Sequence, residues 1–104
     1  MKEKILVVDD ERLIRQSLEK GLAGQGYAVF AAEDGKTALR LAEEESLDLI
    51  VLDLKLPDLN GIEVLKGLRD LEKDMPVLVI TADGSIDTAI QAIRAGAYDY
   101  ITKP

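Results

Sequence analysis

The chain has 104 residues, 47% of them hydrophobic, and a formal net charge of -7, with no cysteine and no histidine. That describes one small globular domain and argues against both disorder and a phosphate-backbone-binding face on this segment, which would need excess positive charge. It also removes disulfides, thiol nucleophiles, Ser-His triads and Cys- or His-ligated metals, so any metal here must be a hard cation on oxygen ligands. No apolar run approaches the ~20 residues of a membrane span. The start, Met1-Lys2-Glu3-Lys4-Ile5, is too acidic and its apolar run too short for a signal peptide, so a cytoplasmic protein is expected.

Ile5-Leu6-Val7-Val8 is a continuous apolar run that ends in Asp9-Asp10-Glu11. A run that short, branched and unalternating reads as a strand buried on both faces. Leu13, Ile14, Leu18 and Leu22 then recur at helical spacing, with Arg12, Arg15, Gln16, Glu19 and Lys20 between them. Asp10 is placed to cap this helix, and Gly24 and Gly26 end it. Tyr27 to Ala32 follows as a second strand. Asp34-Gly35 opens a second helix that runs through Glu45, with Ala38, Leu41 and Ala42 as a narrow buried stripe. Leu49-Ile50-Val51-Leu52 repeats the pattern of the first strand and again ends on an acid, Asp53. Pro57 to Gly61 is a loop, and Asn60 with Glu63 makes a capping-box-like start to a third helix carrying Ile62, Leu65 and Leu68 inward. Pro76 to Ile80 is a fourth strand, closed by Thr81 and the polar Ala82-Asp83-Gly84. Ser85 caps a fourth helix with Ile86, Ala89, Ile90 and Ile93 on one face, and Gly96 takes the C′ position. Tyr98 to Ile101 is a fifth strand, and Thr102-Lys103-Pro104 ends the chain.

Strands alternating with helices imply a parallel sheet covered on both faces through right-handed crossovers. The most economical solution is an α/β, doubly wound, five-stranded sheet in the flavodoxin-like order 2-1-3-4-5. Its switch point lies between strands one and three, which are the strands that end in Asp9-Asp10 and Asp53. Taken singly, Asp53 can serve only to start a turn, and Asp9 and Asp10 only to cap a helix. Taken together they meet in one crevice. Three carboxylates there repel one another unless a cation neutralises them, and Mg²⁺ suits such a set. Thr81 and Lys103 fall on the same edge. Each alone is an ordinary loop hydroxyl or surface lysine, but beside the acids they describe a place where an anionic group is held.

Four stretches carry a family likeness: Val8-Asp9-Asp10-Glu11; Asp53 within Leu52-Asp53-Leu54-Lys55-Leu56-Pro57-Asp58-Leu59-Asn60-Gly61; Ile80-Thr81-Ala82; and Gly96 through Pro104. With them the chain resembles, over essentially its whole length, the receiver domain of two-component response regulators. The stretch Thr81 to Pro104 looks most like receivers of the NtrC type, which precede AAA+ transcription activators. The resemblance implies that Asp53 is the phosphoacceptor. It implies that Asp10 binds Mg²⁺ directly, that Asp9 helps through water, and that the backbone carbonyl of Lys55 supplies another ligand. Thr81 would hydrogen-bond a phosphoryl oxygen, Lys103 would pair with the carboxylate or phosphoryl group, and the Lys103-Pro104 bond would be cis. Tyr100 would be the switch aromatic that turns inward when Thr81 moves. The donor would be a sensor histidine kinase, since this chain holds no histidine. The small Ala82 leaves room for a phosphohistidine. Lys55 and Asp83 flank the site and would tune the lifetime of the phosphoryl group, through an exposed ion pair across the path of water.

Under this reading the chain is a phosphoacceptor regulator with only self-phosphorylation and self-dephosphorylation chemistry. Its helix 4/strand 5 surface would control an output such as transcription, and a homodimer through that region is left open. Direct nucleic-acid binding by this segment and membrane association are not expected. A small Mg²⁺ phosphohydrolase with Asp53 as nucleophile is disfavoured, because Lys55 stands two residues on where a second acid would be needed. A flavodoxin-like nucleotide carrier is disfavoured, because acids replace a Gly-rich loop after the first strand. A receiver-like protein signalling without phosphate is disfavoured, because every expected site residue is present. The fold argument and the resemblance also predict a fifth helix after Pro104. On that expectation residues 1–104 are a receiver domain cut before its last helix, with apolar surface left open near Val77, Val79 and the first helix.

Overall fold

The apolar runs become the sheet. The computed structural model describes residues 2–71 and 73–103. Its elements are β1 (Lys4–Val8), α1 (Arg12–Gly24), β2 (Ala28–Ala32), α2 (Gly35–Glu44), β3 (Leu49–Leu52), α3 (Gly61–Asp70), β4 (Val77–Thr81), α4 (Ile86–Arg94) and β5 (Asp99–Thr102). All strand pairs are parallel and the order is β2-β1-β3-β4-β5, the flavodoxin-like order expected. β4 and β5 each sit one residue later than the sequence placed them, within the usual uncertainty of element ends. No helix among the described residues is long and apolar enough to cross a membrane.

Side chains alternate along each strand, which splits the core in two. Leu6, Val8, Ile50, Leu52, Val77 and Val79 join Ala38, Ala42, Val64, Leu65, Leu68 and Ala92 in the larger cluster, so α2, α3 and α4 cover that face. Ile5, Val7 and Val51 form a smaller cluster with Leu18, Leu22 and Ile80 beneath α1. This corrects the expected opening near Val77 and Val79. Both are fully buried, because their parity turns them to the three-helix face. The apolar surface that stays open lies on the other face, in a groove of about 590 Å³ whose lining includes Leu13, Ile14, Leu18, Ile80 and Ile101. Leu13 belongs to that groove and is 81% exposed rather than core.

The helix starts follow the sequence with one exception. Asp34 accepts from Thr37 N at 2.7 Å, Asn60 from Ile62 N at 2.8 Å, and Ser85 from Thr88 N at 3.2 Å. The exception is α1. Glu11, not Asp10, holds its N-cap position, and no side chain caps it. The reason is that Asp9 Oδ1 accepts from Glu11 N at 2.9 Å, so the turn is made one residue earlier and Asp10 is left exposed. In α3 the Glu63 side chain makes no return bond to Asn60 N among the described residues, so only half of the capping box forms. Val64 is buried there, whereas Ile62 is half-buried. In α4 the isoleucines do share one face, but that face meets solvent. Ile86, Ile90 and Ile93 are exposed, and only Ala92 is buried.

Arg69 holds the far end of α4. Its guanidinium donates to the carbonyl of Met75 at 3.1 Å and to that of Gly96 at 2.6 Å. Gly96 has φ 110. That conformation favours glycine, and a Cβ there would also press on the Arg69 side chain, 2.6 Å from its Nε.

Candidate functional site

Three strands deliver the site residues by the same means: the ladder runs one residue past each strand's carboxyl end. Asp9 N donates to Ala32 O at 3.1 Å, Asp53 N to Val8 O at 2.9 Å, and Lys103 N to Thr81 O at 2.7 Å. The backbones of Asp9, Asp53 and Lys103 are therefore fixed by the sheet. Asp9, Asp53 and Thr81 are buried, and Asp10 is exposed.

The Lys103 ammonium lies between the acids, 2.9 Å from Asp9 Oδ2 and 3.0 Å from Asp53 Oδ2, with 7% of its side chain exposed. It also reaches Glu11 Oε1 at 3.4 Å. Burial pulls its pKa down, but the hydrogen bonds and charges of Asp9 and Asp53 outweigh burial and hold it above the ordinary lysine value. Lys103 is thus a fixed cation. Burial, helped by the Asp53 charge, raises the Asp9 carboxyl above the ordinary aspartate value of 3.8 against the opposing hydrogen bonds from Lys103 and Glu11. Oxygen atoms of Asp9, Asp10 and Asp53 all lie within 4.8 Å of one another. An all-carboxylate set this close, whose like charges repel one another, fits a hard divalent cation.

The β3–α3 loop lies beside Asp53. Lys55 N donates to Asp53 Oδ1 at 3.2 Å, Lys55 bridges to Asn60, and Gly61 N donates to Leu54 O at 2.9 Å. A Cβ on Gly61 would lie 2.4 Å from Leu54 Cα, so this loop has no slack. The β4–α4 loop borders the other side. Between them is a cleft of about 350 Å³ lined by Lys55, Thr81, Ala82 and Asp83 among others. Thr81 Oγ1 accepts a long bond, 3.4 Å, from Asp83 N. Asp83 accepts from Ser85 N at 2.9 Å and from Thr88 Oγ1 at 2.9 Å, and its carbonyl accepts from the Tyr100 hydroxyl. The expected Lys55–Asp83 ion pair is not formed among the described residues. Asp83 turns to its own helix start instead, and Lys55 acts on it only as a more distant charge.

The structure thus brings together Asp9, Asp10, Asp53 and Lys103, and sets Thr81, Ala82, Asp83 and Lys55 around the cleft. Tyr100 is half-buried and hydroxyl-bonded to the loop. The Lys103–Pro104 bond, expected to be cis, involves Pro104, which lies outside the described residues. Two supporting residues escaped the sequence reading. Arg15 donates to the Asp9 carbonyl at 2.8 Å, and Asp58 accepts from Gly35 N at 2.7 Å and from Lys36 N at 2.9 Å. Neither lies at a strand end, so the pattern that found the acids could not find them.

Comparison with known proteins gives a consistent picture. The model of the family "Response regulator receiver domain" matches residues 5–104. The chain is 44% identical, over 104 residues, to the response regulator MprA of Mycolicibacterium vanbaalenii, covering all of this chain and 45% of that protein. It is 40% identical over 101 residues to the regulatory protein AtoC of Escherichia coli K12, covering 97% of this chain and 22% of AtoC, which is consistent with the NtrC-type resemblance. It therefore spans less than half the length of these curated relatives. Among solved structures, a response regulator from Burkholderia pseudomallei, crystallised with a phosphorylated aspartic acid, calcium ion and citrate, superposes with a TM-score of 0.93. The two are 39% identical, over 99% of this chain and 61% of that one. A sheet edge of this geometry, matched along nearly its whole length by sequence and by fold, places the chain in the response regulator receiver domain family.

Proposed function

We propose that this chain is the phosphoacceptor module of a two-component regulator, with Asp53 accepting the phosphoryl group. The observation that carries the reading is the position of Asp53: buried at the end of β3, 3.0 Å from the Lys103 ammonium, with the Asp9 and Asp10 carboxylates alongside. A carboxylate oxygen of Asp53 attacks the phosphorus of a phosphohistidine. The O–P bond forms and the P–N bond breaks, and the leaving imidazole takes a proton from solvent. The histidine belongs to a sensor kinase, because this chain has none. Lys103 already neutralises Asp53 and stays protonated, so it is in place to meet charge on the phosphoryl oxygens. Mg²⁺ held by Asp9, Asp10, Asp53 and the Lys55 carbonyl would offset the remaining negative charge. A bound cation of this class is supported by the calcium ion of the Burkholderia pseudomallei regulator.

Once formed, the acyl phosphate adds charge and acceptor oxygens beside Thr81. Thr81 moving toward them loosens its long bond to Asp83 N and vacates space that Tyr100 can enter. The surface altered is α4 and β5, where Ile86, Ile90, Ile93 and Ile101 are exposed. That surface would control the output, here proposed as transcription regulation, and could host a homodimer of the phosphorylated form. The net charge of -7 argues against this segment contacting nucleic acid itself. The chemistry is self-phosphorylation and self-dephosphorylation rather than turnover of a substrate, and the expected location is the cytoplasm. The domain is read as residues 1–104. Acetyl phosphate with Mg²⁺ should add one phosphoryl group by intact mass to the wild type and none to Asp53→Asn. Equal uptake by both would overturn the assignment.

A further inference from the structure

Two carboxylates from different parts of the chain share the start of α2. Asp34, the local N-cap, accepts from Thr37 N at 2.7 Å. Asp58 Oδ1 accepts from Gly35 N at 2.7 Å and Asp58 Oδ2 from Lys36 N at 2.9 Å. One capping side chain usually serves one of the free amides at a helix start. Asp58 serves two more and arrives from the β3–α3 loop, over twenty residues away in sequence. The contact is close in packing too. A Cβ on Gly35 would lie 2.8 Å from Val64 Cγ2 and 3.0 Å from Leu59 Cβ, so the start of α2 rests directly on this loop and on α3.

The consequence lies in what the loop carries. It leaves from Asp53, holds Lys55, and is closed at its base by Gly61 N to Leu54 O and by the Lys55–Asn60 bridge. Asp58 fixes its tip. A side-chain ligand can adjust by changing rotamer, but a backbone carbonyl goes where its peptide plane goes. The position of such a ligand is set only by fixing the loop at both ends. We propose that Asp58 is a positioning residue for the cation site: by binding the first amides of α2 it holds the β3–α3 loop so that the Lys55 carbonyl faces the Asp9–Asp10–Asp53 carboxylates. The proposal rests on the cation reading given above.

The two carboxylates on one helix start supply the test. Calorimetric titration with Mg²⁺ is run on the wild type, Asp58→Ala, Asp58→Asn and Asp34→Ala, with thermal melting of each in the absence of Mg²⁺. Asp58→Ala should bind Mg²⁺ about tenfold more weakly, the scale seen when a partner supporting a metal ligand is lost. Asp58→Asn should fall between, because its amide oxygen still accepts from one of the two amides. Asp34→Ala should melt lower yet bind Mg²⁺ like the wild type. If Asp58→Ala binds as tightly as the wild type, or Asp34→Ala weakens binding equally, Asp58 merely caps a helix and the proposal fails. A wild type that takes up no Mg²⁺ overturns the cation site itself, and this proposal with it.

Discussion

The two loops that flank Asp53 each carry an aspartate bound to a helix start, but the helices differ in kind. Asp58 of the β3–α3 loop reaches across to α2, a helix packed on the larger core through Ala38 and Ala42. Asp83 of the β4–α4 loop binds Ser85 N and Thr88 Oγ1, the start of the helix that its own loop leads into. The first loop is tied to the body of the domain. The second is tied by its aspartate side chain to α4, whose one buried residue is Ala92, and to β5 only through the Tyr100 hydroxyl among the described residues. Local bonds let a loop and its helix move as one piece, whereas a bond to a distant element does not. Under the proposed function, the side that would hold a ligand still and the side that would respond are therefore built from the same residue type, used at long and at short range.

The largest change should come from the ammonium that Asp9 and Asp53 share. Lys103→Ala leaves Asp9 and Asp53 facing each other without their shared ammonium. Urea unfolding without Mg²⁺ should show a loss of about 3 kcal/mol, the scale for removing one partner of a buried ionic group. Added Mg²⁺ should recover part of it. A loss as large at saturating Mg²⁺ would mean that Lys103 acts through packing alone.

Glycine replacements sharpen the contrast between the loops. Gly61→Ala places a Cβ 2.4 Å from Leu54 Cα in the tied loop and should cost about 2 kcal/mol. Gly84→Ala meets nothing closer than the Thr102 side chain at 3.4 Å and should stay within about 0.5 kcal/mol of the wild type. Equal penalties would erase the distinction. Lys55→Ala removes an exposed side chain that lines the cleft without an ion pair to Asp83. It should change the acyl-phosphate half-life more than the melting temperature, and unchanged dephosphorylation kinetics would remove Lys55 from the tuning residues.

The smallest effect is set by acid. The amides of Gly35 and Lys36 lower the Asp58 carboxyl below 3.8, and the Ser85 amide with the Thr88 hydroxyl does the same for Asp83. A carboxylate whose folded pKa is depressed contributes its stability above the unfolded value and loses it as pH falls through the folded one. Both ties should therefore be intact at neutral pH and fail only under acid. The amide resonances of Gly35 and Ser85 should titrate with midpoints below 3.8, and midpoints at or above it would contradict both hydrogen bonds.

The strand ends were legible because burial on both faces forces an unbroken apolar run, and an acid after such a run stands out. The alternation of strands and helices pointed to the order β2-β1-β3-β4-β5, and Leu49 to Leu52 with Asp53 and Ile5 to Val8 with Asp9 then marked the crevice. Thr81 and Lys103 followed from their place on the same edge. Which way α4 faces was not legible. Ile86, Ile90 and Ile93 have the spacing of a core stripe yet meet solvent, because periodicity says which residues share a face and not what that face meets. Asp58 and Arg15 were hidden for another reason. They act on backbone groups remote in sequence, and a hydrogen bond of that kind leaves no periodic trace. Asp10 failed as a cap because the Asp9 side chain holds the Glu11 amide, which sets the turn there and leaves Asp10 exposed.

The clasp of Arg69 on Gly96 makes α4 a lever with an off-centre pivot. The guanidinium grips the backbone just beyond the carboxyl end of the helix, while the amino end is secured to its own loop, which the Tyr100 hydroxyl holds at the Asp83 carbonyl. A nine-residue helix is about 14 Å long. A tilt of about 10° around the gripped end would carry the Ile86 end through about 2 Å and leave the Gly96 end nearly still. Displacement would thus be greatest next to Thr81 and Asp83, where the proposed function puts the stimulus, and would fade toward Ile93. A partner that reads this helix would gain most by touching its first turn.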